Sequence, residues 1–171
     1  MAIPVKAEGS DLESRVDQYK DAFPIKLIGQ EATDLAANCA TAQSRLNDIF
    51  LRLSSTKTVY LAAYAMVDTR LSAIQKRLGK HQFDTSTIDL LLANYRRDVE
   101  NYESAIDNYQ STLSDASLIK CTDDIDGFAS ALAAARQYRS DLEQAAIAIN
   151  NYATINVDAA FTSIKNSLES K

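Results

Sequence analysis

The sequence contains very little glycine and proline. Its 171 residues include 4 Gly and 2 Pro, where average usage predicts about twelve and about eight or nine. Sandwiches, barrels and doubly wound α/β folds need a turn residue about every ten positions. The shortage argues against these classes and favours an all-α fold.

Residues that carry metal and nucleophile chemistry are also scarce, with one His, two Cys and no Trp. A ferritin-like bundle needs Glu-x-x-His pairs, which the single histidine, His81, cannot supply. No further His or Cys completes a zinc site with Cys39 or Cys121. The Asp-rich segment 123–126 lacks the spacing of an EF-hand, so we interpret it as helix capping. We expect no catalytic residues, no metal, no cofactor and no enzymatic activity.

Charge and hydropathy argue against binding to nucleic acid and against a membrane-spanning segment. The chain has 18 Lys+Arg against 23 Asp+Glu, a net charge of -5. A nucleic-acid binder needs a basic stripe, and the basic pair Arg96-Arg97 is followed directly by Asp98. No run of 18 apolar residues is present, so the sequence predicts no transmembrane segment. We expect no nucleic-acid partner.

Because glycine and proline are so few, long segments contain neither residue, such as the forty-nine residues between Gly29 and Gly79. Within these segments apolar residues recur in alternating steps of three and four, which is typical of helices packed along their length. This pattern predicts one helical-bundle domain over residues 10–171. Residues 1–9 are predicted to be a disordered N-terminal tail or the remnant of a signal peptide. The predicted helices of the domain span about 11–22, 30–79, 86–118 and 124–169.

The predicted arrangement is an elongated up-down-up bundle of three long antiparallel helices, with a short N-terminal helix. The polar run 54–58 favours a loop by propensity, but the apolar pattern keeps its phase across it, so we predict continuous helix there. Gly79 is expected to close that helix in the left-handed conformation. Asp84 or Thr85 is expected to cap the next one.

The two cysteines lie at the same level along the helix axes in this arrangement. Cys39 lies about as far before the predicted turn near residues 80–82 as Cys121 lies after it, so antiparallel helices bring them together within roughly one turn. We predict a disulfide, which implies an oxidising compartment. The segment Val5-Lys6-Ala7 fits the small-residue pattern of a signal-peptidase site. The alternative is two reduced cysteines packed in the core of a cytosolic protein.

Tyrosines form the remaining candidate site. Tyr95, Tyr102 and Tyr109 recur every seven residues, and Tyr60 and Tyr138 are predicted near the height of Tyr102. One interpretation is a structural layer whose rings fill the helix interface while the hydroxyls reach water. The other is a binding groove for a ligand or partner, formed by these five tyrosines.

The surroundings of the cysteines resemble a known group of proteins. The segments AANCATAQSRL (36–46) and IKCTDDIDGFASALAAAR (119–136) resemble uncharacterised exported two-cysteine helical-bundle proteins of ultrasmall, reduced-genome bacteria. In that group, Arg/Asn-Cys-x-x-Ala-Gln and Cys-x-x-Asp-x-x-Gly-Phe segments flank a long helical hairpin. The resemblance implies an exported bundle held by a disulfide, and it implies no catalytic residues.

The function expected from the sequence is a non-enzymatic, exported helical bundle of the cell envelope or surface. Its role would be structural, adhesive or protein-binding, with a protein or cell-surface component as partner. One alternative is a periplasmic-type helical bundle that senses a small ligand among the tyrosines. Another is a cytosolic coiled-coil adaptor with reduced cysteines.

Overall fold

The computed structural model describes residues 12–169, apart from the side chains of residues 167 and 168. Of the described residues 88% are helical and none is in a strand, so the all-α prediction is confirmed. The tail predicted over 1–9 lies outside the described range. The helices are α1 (Leu12–Ala22), α2 (Gln30–Ala37), α3 (Cys39–Lys80), α4 (Ser86–Leu118), α5 (Ile125–Asn151) and α6 (Val157–Glu169), with a π-helical turn at Tyr152–Asn156.

The predicted helix over 30–79 is interrupted at Asn38, so the prediction of one continuous helix is wrong. Asn38 has φ -100° and ψ 6°, and its side-chain amide donates to the Asp34 carbonyl at 2.8 Å. Asparagine side chains compete with helical hydrogen bonding in this way. The apolar spacing runs through Asn38 unchanged, which is why the sequence pattern did not indicate the break.

The polar run 54–58 is helical, as predicted. Its hydroxyls bond within their own helix, with Ser54 Oγ donating to the Phe50 carbonyl at 3.0 Å and Thr56 Oγ1 to the Arg52 carbonyl at 2.9 Å. Gln110 Nε2 of α4 also donates to Ser54 Oγ at 2.8 Å. These hydroxyls therefore have partners without a loop.

The turn between α3 and α4 is closed by Gln82 rather than by Gly79, which corrects the prediction for the left-handed residue. Gln82 has φ 60°. The Phe83 amide donates to the Leu78 carbonyl at 3.1 Å, and the Gln82 amide to the Gly79 carbonyl at 3.0 Å. These two bonds define a Schellman motif with Gln82 in its left-handed position.

Two predicted helix caps are present. The Asp84 carboxylate accepts from the Ser86 amide at 2.9 Å at the start of α4. The Asp124 carboxylate accepts from the Gly127 amide, also at 2.9 Å, at the start of α5. Both bonds satisfy amides that lack a partner within the helix.

The chain divides into two compact units. We call the first the disulfide unit, which consists of the described residues up to Thr56 together with Ala105–Asp141. We call the second the tyrosine unit, which consists of Lys57–Ser104 together with the described residues from Leu142 onward. The prediction of a single domain over 10–171 stays a prediction.

In the disulfide unit, α1 is held against α4 by a buried acidic residue. Asp115 is 2% exposed and accepts two hydrogen bonds from Arg15, each of 2.8 Å. It also accepts one from Tyr19 Oη at 2.7 Å. Burial raises the pKa of Tyr19, and the charge of Asp115 adds to this shift. The phenol therefore stays protonated and donates to Asp115 throughout the neutral range.

The same helix α1 approaches α5 closely at Gly127. A Cβ atom built on Gly127 would lie 2.7 Å from Val16 Cγ1 and 2.7 Å from Asp124 Cγ. Lys20 pairs with Asp124 at 2.7 Å. Burial opposes ionisation of Asp124, but its hydrogen bonds with Lys20 and Gly127 prevail and lower its pKa. This contact therefore needs a residue without a side chain.

The tyrosine unit is centred on α4. Leu71 of α3, Ala160 of α6 and a group of α4 residues form one buried cluster, whose α4 members are Ile88, Leu91 and Leu92. Apolar residues of α4 in this unit recur in alternating steps of four and three at Ile88, Leu92, Tyr95, Val99 and Tyr102; Val99 is half-buried and the other four are buried. The α4 pattern thus identified its inward face correctly.

Candidate functional site

Tyr60, Tyr64 and Tyr102 of the tyrosine unit form an aromatic cluster, and Tyr95 is joined to it by a hydrogen bond to the Tyr64 carbonyl. Tyr60 and Tyr64 lie one turn apart on α3, and Tyr95 and Tyr102 lie seven residues apart on α4, so each pair shares a helix face. The Tyr64 and Tyr102 rings meet edge to face with centroids 5.3 Å apart. Tyr60 lies 6.4 Å from Tyr102 and 6.2 Å from Tyr64. These separations are typical of interacting aromatic pairs.

The cluster lines a cavity of about 520 Å³, which we call the tyrosine cavity. Part of its lining comes from α5, where Leu142, Ala146 and Ile149 follow one another at helical spacing. Glu143 and Asn150, seven residues apart, lie beside this stripe and also line the cavity. Cavities of about 300–1,000 Å³ with an apolar lining and a few polar groups are typical of small-molecule sites.

Exposure differs strongly among the four tyrosines. Tyr95 and Tyr102 are 1% and 4% exposed, whereas Tyr60 is 49% exposed. Tyr64 is half-buried, and Glu143 is exposed. The cavity therefore has a buried side formed by α4 tyrosines and a solvent side that carries Tyr60 and Glu143.

The phenols of the cavity are neutral hydrogen-bonding groups. Burial, together with neighbouring negative or phenolic groups, raises the pKa of Tyr95 and of Tyr102 to about 12. Burial and then Tyr60 raise the pKa of Tyr64. Tyr95 Oη donates to the Tyr64 carbonyl at 3.1 Å, which fixes its ring against α3. At neutral pH these groups offer ring faces and hydroxyls without negative charge.

A π-helical turn adjoins the tyrosine cavity. It spans Tyr152–Asn156, and its Ala153 lines the cavity. Tyr152 Oη donates to the Leu91 carbonyl at 3.2 Å, tying the turn to α4. Such turns occur frequently at functional sites in helical proteins, so this irregularity is a second feature that marks the region.

A second cavity of about 490 Å³ shares Tyr64 and Tyr95 with the first. Its polar lining includes Asp68 and Arg96, which pair at 2.6 Å. Arg96 also donates to Ser72 Oγ at 3.0 Å. Since the one cation among the described residues of this lining is already paired with a carboxylate, the cavity offers no uncompensated positive charge there.

The structure brings together three of the five tyrosines that the sequence selected. Tyr60, Tyr95 and Tyr102 line the tyrosine cavity, while Tyr109 and Tyr138 belong to the disulfide unit and do not. Tyr109 is 8% exposed. Burial, followed by the charge of Asp141, raises the pKa of Tyr138.

Sequence reasoning missed Tyr64. The steps of three and four between apolar residues run from Tyr60 to Ala63 and Val67 and so predict Ala63, not Tyr64, on the inward face, but Ala63 is exposed, whereas Tyr64 is half-buried and lines the cavity. An ideal helix drifts by about 20° per heptad relative to a strict seven-residue repeat, which moves the inward face by one position along so long a helix. The spacing of four from Tyr60 to Tyr64 is the signal that could have found it.

The predicted disulfide is present. Cys39 and Cys121 are bonded with Cα atoms 6.0 Å apart, a usual separation for such bridges. Cys121 is 1% exposed. Close by, Gln43 Nε2 donates to the Ile119 carbonyl at 2.6 Å, so α3 also contacts the segment that follows α4 beside the bridge.

Within residues 12–169, no three or more His, Cys, Asp or Glu side chains are grouped to hold a metal ion. None of the helices in that range is long and apolar enough to cross a membrane. No family model, curated protein or solved structure matches this chain.

Proposed function

We propose that this chain is a non-enzymatic, exported helical module of the cell envelope or surface that acts by binding. The proposed recognition site is the tyrosine cavity. The observation that carries the proposal is that four tyrosines and one face of α5 line a single cavity of about 520 Å³. A cavity of this volume with a mostly apolar lining and a few polar groups is typical of small-molecule sites.

Export is supported by the disulfide, since such bonds form and persist mainly outside the cytosol. The resemblance of segments 36–46 and 119–136 to exported two-cysteine proteins supports the same compartment. A cytosolic adaptor would carry reduced thiols. Alkylation of intact cells before lysis distinguishes the two: export predicts that neither cysteine is labelled until the protein is reduced.

We also propose the up-down-up arrangement of the long helices. In the disulfide unit, Gln43 bonds Ile119 and the later residue Ser54 bonds the earlier residue Gln110. In the tyrosine unit Asp68 pairs with Arg96, and the later residue Gln75 bonds the earlier residue Asp89. As the residue number rises along α3 it falls along α4, which supports antiparallel helices within each unit.

A protein-binding or adhesive role is the second candidate. Residues 58–67 contain no charge, although two of the apolar side chains in this segment, Val59 and Met66, are 65% and 58% exposed. A helix that is apolar all round is normally buried. This surface of the tyrosine unit therefore favours a contact with another protein.

Photo-cross-linking separates these candidates. Benzoylphenylalanine is placed at Tyr60 on the cavity, at Met66 on the uncharged surface, or at Lys76 as an exposed control, and the cells that express the protein are irradiated. Mass spectrometry of the intact protein then gives the mass of the molecule that has been cross-linked to it. The proposal predicts an adduct at Tyr60, whereas adducts concentrated at Met66 favour the second candidate.

Two alanines of α5 provide a matched control for the cavity. Ala146→Phe fills the tyrosine cavity, while Ala148→Phe adds the same ring at an exposed position two residues away. The Tyr60 adduct should disappear with the first substitution and persist with the second. Equal adducts at Tyr60 and Lys76, or an adduct that survives Ala146→Phe, would refute the proposed site.

A further inference from the structure

An exposed stripe without any acidic residue runs along α3 in the tyrosine unit. Its seven members follow one another in steps of three and four, so they share one face of the helix. All seven are exposed, whereas Leu71, on the opposite side of α3, is buried in the cluster with α4. We call this face the outer stripe, and it consists of Val59, Ala62, Met66, Arg70, Ala73, Arg77 and Lys80.

The first part of the outer stripe is apolar and the second part is largely basic. Val59 and Met66 are 65% and 58% exposed. The three cations of the stripe follow along the helix, and the exposed Lys76 lies beside them. Within residues 12–169, none of these four cations pairs with a carboxylate. One helix face therefore presents both apolar side chains and unpaired positive charge to solvent.

This positive charge contrasts with the acidic character of the chain. Residues 58–80 contain four basic residues and one acidic residue, Asp68, which is paired with a cation of α4 at 2.6 Å, whereas the whole chain has a net charge of -5. Cations in the last turn of a helix stabilise its dipole, which accounts for Arg77 and Lys80. This effect falls off within one turn, so the dipole does not account for Arg70.

Two other partners fit the outer stripe less well than a lipid surface. A second copy paired through the same stripe would take the cations of each chain out of water against a face that has no carboxylate, which is unfavourable. Nucleic acid would pair its phosphates with the cations but would leave Val59 and Met66 in water. An anionic lipid surface accepts both groups, because apolar side chains enter the acyl boundary while long Lys and Arg side chains reach the headgroups.

We propose that the outer stripe docks the tyrosine unit onto a membrane surface that contains anionic lipids. Val59 and Met66 enter the boundary between headgroups and acyl chains, and Arg70, Arg77 and Lys80 lie among the headgroup phosphates. This inference goes beyond the proposed function, since it assigns a second surface, and it does not depend on the tyrosine cavity. The two proposals can therefore fail separately.

The test uses a single tryptophan as a reporter, because the chain contains none. Met66→Trp places it on the outer stripe, and Leu90→Trp places it on α4 at a position that is 65% exposed. The full chain is titrated with vesicles of phosphatidylcholine alone or of an equimolar mixture with phosphatidylglycerol. The proposal predicts that tryptophan emission shifts to shorter wavelength for Met66→Trp with the anionic vesicles only, and for Leu90→Trp with neither kind of vesicle.

Charge variants in the Met66→Trp background test the role of the cations. A Lys or Arg near an anionic surface contributes about fivefold to the binding constant, so Arg70→Gln should weaken binding by about fivefold and Arg70→Gln/Arg77→Gln by about 25-fold. The matched control is Arg136→Gln, which removes an exposed cation from the disulfide unit and changes the net charge by the same amount. Equal effects of Arg70→Gln and Arg136→Gln would overturn the role of the outer stripe.

Other outcomes would overturn the inference in different ways. Equal shifts with the two kinds of vesicle would overturn the requirement for anionic lipid, and no shift with either would overturn the docking itself. Displacement of the vesicles by soluble polyglutamate at the same concentration of negative charge would assign the stripe to an acidic protein instead. Among photo-cross-linked adducts at Met66, the mass of a phospholipid supports the inference and the mass of a protein overturns it. The Tyr60 adduct tests the proposed recognition site independently of these results.

Discussion

Reduction of the Cys39–Cys121 bond is the perturbation whose effect follows most directly from the structure. The bond closes a chain segment with a sequence separation of 82. Cys121 is buried and Cys39 half-buried. Because cysteine packs as a small apolar side chain, reduction leaves the local packing almost unchanged. The measured difference therefore reports the closure of the chain.

The loss of stability on reduction can be calculated from the length of the chain segment that the disulfide closes. In the chain-entropy model, cross-linking two residues this far apart stabilises the folded state by about 4.5 kcal/mol at 25 °C. With a urea dependence of about 2 kcal/mol/M, typical of small proteins, the unfolding midpoint should fall by about 2 M on reduction. Both cysteines belong to the disulfide unit, so hydrogen exchange should accelerate most at the start of α3 and the end of α4.

The assay is urea unfolding followed by circular dichroism at the helical band, with oxidised and reduced samples of the same protein. A Cys39→Ala/Cys121→Ala variant serves as a control, and reducing agent should leave its midpoint unchanged. The reasoning is refuted if reduction leaves the midpoint of the wild-type chain in place. Two free thiols in the mass of the non-reduced protein would refute it at an earlier step.

Further predictions concern buried contacts. Asp115→Asn should destabilise the protein by about 2–3 kcal/mol, because Asn cannot replace the paired carboxylate, and should lower the melting temperature by about 4–12 °C. Gly127→Ala should cost about 1–3 kcal/mol through overpacking against α1, whereas Gly79→Ala should stabilise by about 0.5–1 kcal/mol. Stability should fall as the pH rises from about 10 to about 12, since the folded-state pKa values of Tyr95 and Tyr102, about 12, exceed the ordinary 10.0.

Each of these predictions has a control. Glu169→Gln removes a partner from Lys165 on the surface, where the Lys165 and Glu169 side chains are 73% and 65% exposed, and should leave the melting temperature unchanged. A Cβ atom added at Gly79 would have Thr85 Cγ2 as its nearest neighbour, at 3.8 Å, so equal effects of the two glycine substitutions would contradict the close approach at Gly127. Ultraviolet absorbance of the phenolates follows the tyrosine titration, and ionisation of all eight tyrosines near the ordinary pKa in the folded protein would contradict the burial argument.

The helix boundaries were predictable where apolar spacing and local capping signals agreed. Segment 86–118 begins after a capping Asp84 and keeps strict three-and-four spacing, and α4 spans the same residues. The break at Asn38 was not predictable from spacing, because it leaves the phase of the apolar residues intact. Gln82 rather than Gly79 has the left-handed conformation that closes α3, because the helix continues past Gly79 to Lys80. Non-glycine residues can adopt this conformation at a moderate cost in free energy.

The candidate site was predictable in part. The height match of the antiparallel helices paired Tyr60 with Tyr102, and their rings are 6.4 Å apart. A seven-residue repeat keeps side chains on one face but spaces them by about 10 Å along the axis. A single cavity therefore takes Tyr95 and Tyr102 but not Tyr109. The α5 wall and the π-helical turn had no distinct sequence signal, because their alanines and isoleucines are equally typical of a core.

The most direct test of the central claim uses the tyrosine rings themselves. The chain has eight tyrosines, and ring-selective ¹³C labelling reports each of them separately when a library of small-molecule fragments is added. The account predicts shifts of the ring signals of the four cavity tyrosines, Tyr60, Tyr64, Tyr95 and Tyr102, with those of Tyr19, Tyr109 and Tyr138 unchanged. Unchanged cavity signals, or equal shifts in the disulfide unit, would contradict it.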